Sequence, residues 1–188
     1  MTRIALAAAA FILAAVLPAA AQEPPAWTVD YDQSRLGFTG AQNGAAFDGV
    51  FEKFTADIAF DPAAPETARI EVVVDMASAV TGKKDRDRAL PGKDWFDVKD
   101  HPQATFLAEG ARATDDGGYE ADGTLSIRGV SKPVTLAFSL AVEGDAATAE
   151  GGASLVRSDF GVGRGEFATG KWVALEVGVT FTIVAARR

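Results

Sequence analysis

Cysteine is absent from the 188 residues. That excludes disulfides, thiolate metal sites, covalent c-type haem attachment, a cysteine nucleophile and a lipid anchor on a thiol. His101 is the sole histidine, so histidine-rich metal sites are excluded too. Basic residues are in the minority, 18 Lys and Arg against 26 Asp and Glu, a formal net charge of −8. Nucleic acid is therefore excluded as a partner, because counterion release needs clustered cations. Long apolar runs are also scarce. The one run, Ile4 to Leu17, follows Arg3 and precedes Ala19-Ala20-Ala21. This is the pattern of a secretory signal peptide over residues 1–21, too short to span a bilayer. Residues 22–188 are then the mature domain, exported from the cytoplasm, and the Ala-rich, Cys-free composition fits a bacterial periplasm. Asn43 is followed by Gly44 and Ala45, so it forms no N-glycosylation sequon.

Catalytic and cofactor motifs are missing as well. No G-x-S-x-G elbow occurs. Gly161-Val162-Gly163-Arg164-Gly165 lacks both dinucleotide spacing and a Gly-Lys-Ser/Thr ending, and reads as a flexible connection between strands, not a phosphate cradle. His101, between Asp100 and Pro102, reads as a turn residue. The sequence thus predicts no metal, no catalytic constellation and no enzyme.

What the chain does contain is alternation. Val173, Leu175, Val177, Val179, Phe181 and Ile183 alternate with smaller or polar residues, which is the period of a half-buried strand. The same pattern covers 134–142, 119–127, 70–76, 54–60 and the surroundings of Phe106 and Ala108, with weaker segments at 34–39 and 147–158. Turn residues separate these strands: Asp61-Pro62, Asp115-Asp116-Gly117-Gly118, Arg128 to Pro133, and Glu143-Gly144-Asp145. Short links between successive strands predict antiparallel neighbours. From Ala79 to Pro102 the alternation stops; a mixed-charge run followed by Ala89-Leu90 and Trp95-Phe96 predicts a short helical segment between strands 3 and 4. It is either a lid over a sheet end or a solvated loop with an apolar anchor.

The second strand changes parity. Phe47 and Phe51 lie on one face, while Phe54, Ile58 and Phe60 lie on the other, so a bulge is expected near Glu52-Lys53, as in a closing barrel. Eight antiparallel strands lose their edges when the sheet closes. The fold class is therefore all-β, an eight-stranded antiparallel barrel. Gly37, Gly123, Gly151, Gly152 and Gly178 inside or beside strands mark sharp bends or a cavity wall without side chains.

Phe51-x-x-Phe54, Ile58-x-Phe60-Asp61, Arg86-Asp87, Trp95-Phe96-Asp97, His101-Pro102-x-Ala104-Thr105-Phe106, Gly123-Thr124-Leu125-Ser126-Ile127-Arg128-Gly129-Val130-Ser131-Lys132-Pro133-Val134 and Arg157-Ser158-Asp159-Phe160-Gly161 occur in that order. This ordered set resembles the YceI-like family from about Trp27 to Ile183. Ser126 and Ser131 stand where Thr is usual, and Trp95 where Phe is usual. The resemblance implies a lipocalin-like barrel, periplasmic secretion and a long apolar tunnel for a polyisoprenoid chain, such as an isoprenoid quinone or a polyprenyl phosphate. It carries no catalytic residues over.

Face and position nominate Phe38, Phe47, Phe51, Ile58, Leu90, Trp95, Phe96, Phe106 and Phe160 as pocket residues. Arg86 with Asp87, and Arg157 with Asp159, are either surface ion pairs or a polar ring at the pocket mouth that orients a ligand head. The reading is a periplasmic binding or carrier protein for an isoprenoid lipid, with no other cofactor, and with transient contact to a membrane or membrane enzyme as its delivery step. Two alternatives stand beside it: an enzyme acting on a lipid in the same pocket through Arg157, Asp159 or Asp87, and an outer-membrane barrel, which also alternates.

Overall fold

The computed structural model describes residues 23–188; the leader expected at 1–21 lies outside the described residues. Eleven strands are present: β1 (Ala26–Gln42), β2 (Ala45–Phe51), β3 (Phe54–Ala59), β4 (Arg69–Asp75), β5 (Ala79–Val80), β6 (Gln103–Glu109), β7 (Arg112–Ala113), β8 (Tyr119–Ile127), β9 (Val130–Glu143), β10 (Ala146–Val156) and β11 (Glu176–Arg187). β2 and β3 are one stave broken at Glu52-Lys53, where the parity change predicted a bulge. β5 and β7 are two-residue side pairings on β2 and β8. The remaining staves pair antiparallel with their sequence neighbours, and β11 closes onto β1. The result is a closed, eight-stranded, up-and-down antiparallel barrel.

The turns follow from backbone chemistry. Asn43-Gly44 joins β1 to β2 and Arg128-Gly129 joins β8 to β9, and all four residues have positive φ. Positive φ at both central positions is the two-residue hairpin turn whose twist matches the flanking strands. β1 bends where its register with β11 shifts between Asp30 and Arg35. The Asp30 carboxylate caps that bend by accepting the backbone N–H groups of Asp32 and Gln33. Trp27 and Val29 before the shift and Phe38 after it are all buried, so the bulge keeps the inward face apolar although the parity changes.

The walls are apolar inside and polar outside. Along β9, Val134, Leu136, Phe138 and Leu140 face the interior, while Thr135, Ala137 and Ser139 face outward. β8 likewise turns Glu120, Asp122, Thr124 and Ser126 out. This is the reverse of an outer-membrane barrel, which alternates apolar-out and polar-in, and it corrects that alternative.

The two ends are closed differently. At one end an aromatic plug forms: Phe60 packs edge-on against Tyr119 and Phe138, with ring centroids 5.1 and 5.8 Å away. Trp27 Nε1 donates to the Phe60 carbonyl at 2.9 Å. At the other end lie the two long connections, residues 76–102 and 157–175. The first contains α1 (Lys84–Ala89), the helix expected between the third and fourth staves.

Candidate functional site

The barrel encloses a cavity of about 260 Å³ with an apolar wall. It is lined along the whole axis, from Trp27, Phe60 and Ala185 at the plugged end to Trp95, Phe160 and Val162 at the other. The burial pattern agrees with a hollow interior. In a packed core the inward residues of a strand are fully buried. Here Val134, Leu136, Phe138 and Leu140 of β9, and Val177, Val179, Phe181 and Ile183 of β11, are only half-buried, because their inner faces border empty space. No large apolar residue among the described residues is fully enclosed.

The hollow has a cause in the sequence. β10 turns Ala147, Ala149, Ala153 and Leu155 inward, and three of these four side chains are a single methyl group. The in-strand glycines make a different contribution from the one expected. A Cβ on Gly123 would lie 2.4 Å from Phe106 Cζ, so the space at Gly123 admits a neighbouring ring and does not enlarge the lumen.

All nine apolar residues nominated from the sequence line the cavity: Phe38, Phe47, Phe51, Ile58, Leu90, Trp95, Phe96, Phe106 and Phe160. Sequence reasoning favoured aromatics and passed over the aliphatic wall, such as Val72, Leu125, Leu136 and Leu155. Strand parity alone would have found it.

The four polar nominees have separate positions. Arg157 is 5% exposed and lines the cavity, but its guanidinium is fully used. Nε donates to the Ala174 carbonyl at 2.8 Å, Nη1 to Val162 and Gly163 at 2.7 and 3.3 Å, and Nη2 to Phe167 and Val173 at 2.6 and 2.7 Å. Burial pushes its pKa down; five carbonyl dipoles offset the lost hydration, as a buried charge requires. Asp87 is likewise occupied, accepting the Thr81 N–H at 2.7 Å and the Thr81 hydroxyl at 2.6 Å. Asp159 is exposed on the second of the two long connections, each a strap across that end of the barrel. Arg86 stacks on the Phe47 ring, 3.6 Å from its centroid, and donates to Gln42 Oε1 at 3.0 Å. No hydrogen bond joins the Arg86–Asp87 pair to the Arg157–Asp159 pair among the described residues, so the four do not form one polar ring.

Arg128 was missed. Its side chain is 1% exposed, next to the half-buried Asp97 carboxylate at 3.4 Å. It donates to the Lys93 carbonyl at 2.8 Å and to that of Trp95. Burial lowers its pKa first, and the nearby Arg164 adds to the effect. Bonds to main-chain carbonyls leave no mark in a sequence, which is why both scaffold arginines were hard to read.

Together the two arginines assemble the mouth. Arg157 gathers its own strap, and Arg128 holds residues 93–97 of the other. The straps also bond directly, with the N–H groups of Gly163 and Arg164 both donating to the Asp94 carbonyl at 2.8 Å. Gly163 has φ +80° and a Cβ there would sit 1.9 Å from Arg157 Nη1. The glycine-rich segment is therefore a fitted wrapping around Arg157, which corrects the reading of a flexible connection.

Sequence comparison places the matter. The YceI-like domain profile matches residues 27–185. The chain belongs to the YceI-like family. A UPF0312 protein of Azotobacter vinelandii is 32% identical over 140 residues, covering 71% of this chain and 70% of the relative. The crystal structure of Burkholderia cenocepacia BcnA is 36% identical with a TM-score of 0.79, covering 85% of this YceI-like chain and all (100%) of BcnA. A polyisoprenoid binding domain from Saccharophagus degradans shares the fold, with a TM-score of 0.65 at 15% identity over 88% of this chain and 99% of that one.

Proposed function

We propose that this barrel is a binding and carrier protein for an isoprenoid-type lipid, held with its chain along the lumen. The observation that carries the reading is the continuous apolar cavity whose wall residues stay half-exposed. A flexible apolar tail placed there would remove both its own surface and the wall from water, at about 25 cal/mol per Å² before ordering costs. That a polyisoprenoid binding domain has the same architecture supports the choice of ligand class.

Binding is favoured over catalysis by the contents of the wall. Arg157 is the one ionisable side chain lining the cavity among the described residues, and its donors are given to carbonyls. A lipid-modifying enzyme would need an acid, base or nucleophile facing the lumen. With the expected leader, the carrier works in the periplasm.

Solvent extraction of protein purified from a native-like host, followed by mass spectrometry, should yield a prenyl lipid, and stripped protein should bind added isoprenoid quinone or polyprenyl phosphate. Absence of any prenyl lipid together with no binding of either probe would overturn the reading.

A further inference from the structure

The charge of the chain is divided along the barrel axis. The connections at the plugged end, residues 60–68, 109–118 and 143–145, hold seven Asp and Glu against Arg112, and the exposed Arg187 and Arg188 beside Trp27 and Asp145 reduce that excess without cancelling it. At the mouth the balance reverses. Residues 81–101 hold six Lys and Arg with five Asp, residues 157–175 hold three with two acids, and Arg128 is added between them. Asp87 on Thr81 and Asp97 on Arg128 are turned to internal work, as are the cations Arg157, Arg128 and Arg86, which leaves Lys83, Lys84, Arg88, Lys93, Lys99, Arg164 and Lys171 exposed against Asp85, Asp94, Asp100, Asp159 and Glu166. Lys83, Lys84, Arg88, Lys93 and Lys99 are exposed, and none of them pairs with a carboxylate among the described residues.

The same end presents an aromatic. Trp172 is 44% exposed, with Lys171 Nζ 4.6 Å from its ring centroid. Its position is fixed by the Asn43 N–H, which donates to the Trp172 carbonyl at 2.8 Å at the tip of the β1–β2 hairpin. An exposed indole beside unpaired ammonium groups suits a bilayer interface, where Trp partitions into the headgroup layer and each Lys near an anionic surface gains about 1 kcal/mol. The acidic plugged end is repelled by that surface. The field therefore both attracts and orients the barrel.

We propose that the mouth end docks on an anionic bilayer, with Trp172 in the headgroup layer and the strap lysines over the acidic headgroups. The inference stands on charge and exposure, independently of what fills the lumen.

Vesicle sedimentation at low ionic strength tests it. The full-length mature protein should partition at least about ten-fold more strongly onto vesicles containing phosphatidylglycerol than onto pure phosphatidylcholine, and lose the preference in high salt. K83E/K84E should reduce binding by about ten-fold or more. W172A should weaken it several-fold and remove fluorescence quenching by brominated lipid. D115K/D116K, at the plugged end, should leave mouth-first quenching of Trp172 intact. These positions are exposed, and unchanged circular dichroism confirms folding. Equal partition onto neutral and anionic vesicles, no binding to either, or binding indifferent to both K83E/K84E and W172A would overturn the proposal. Capture of an acidic protein in place of vesicles would overturn it as well. None of these outcomes touches quinone binding by the lumen, so the two readings fail separately.

Discussion

The two ends of the barrel are closed by opposite means. The plugged end uses aromatic side chains meeting edge to face, Phe60 with Tyr119 and Phe138. The mouth uses main-chain carbonyls gathered by two buried guanidiniums, Arg157 and Arg128. The aromatic plug is built on rings carried by the strands, Tyr119 of β8 and Phe138 of β9 meeting Phe60 just beyond β3. A carbonyl cage is directional and holds two connections that, apart from β5 and a single bridge from Val173 to Gln42, lie outside the sheet. One end is thus held by the staves themselves, while the other rests mainly on bonds outside them.

That contrast sets the size and locality of mutational effects. Phe60→Ala, at a 4% exposed site, should cost about 3–5 kcal/mol and lower the thermal midpoint of the whole barrel in calorimetry. Arg157→Met leaves the carbonyls of Val162, Phe167, Val173 and Ala174 without their donor, for about 3 kcal/mol. Its signature should be local: hydrogen exchange speeds up at the Gly163 and Arg164 amides while β8 and β9 stay protected. Uniform loss of protection across the barrel would break the distinction between the ends. Gly163→Ala, forced into positive φ against Arg157, should cost roughly 1–3 kcal/mol with the same local exchange pattern.

The smallest effect concerns the outer wall. The Thr135 hydroxyl first, and then Arg112, hold the exposed Asp122 carboxyl below its ordinary pKa. A depressed carboxylate stabilises the fold above the unfolded value, near 3.9, and the contribution is lost as pH falls through the lower folded value. The thermal midpoints of Asp122→Asn and the parent protein should therefore differ slightly at pH 6 and converge in strong acid.

The staves were legible because side chains alternate with a period of two, and the break at Glu52-Lys53 was legible because Phe51 and Phe54 change parity. The first half of β1 was not. Its bulge after Asp30 shifts the inward set from Trp27 and Val29 to Leu36 and Phe38, so no single alternation runs through it. β10 looked weak as a strand because Ala147, Ala149, Gly151 and Ala153 give it little hydrophobic signal. The three alanines among them leave the lumen open, so a segment hard to read from hydrophobicity is one that makes room for the cavity. The roles of Arg157 and Arg128 depend on which carbonyls converge in space, and sequence spacing carries no record of that.

Filling the lumen is the most direct measurement. Ala149 and Ala153 point inward from β10 and are half-buried. Ala149→Phe/Ala153→Phe should leave the ligand-free thermal midpoint unchanged or raised, because the new rings enter empty space, and should abolish binding of an isoprenoid quinone. A lowered midpoint, reflecting the stability loss of roughly 1–3 kcal/mol typical of overpacked cores, with quinone binding retained, would contradict a hollow interior.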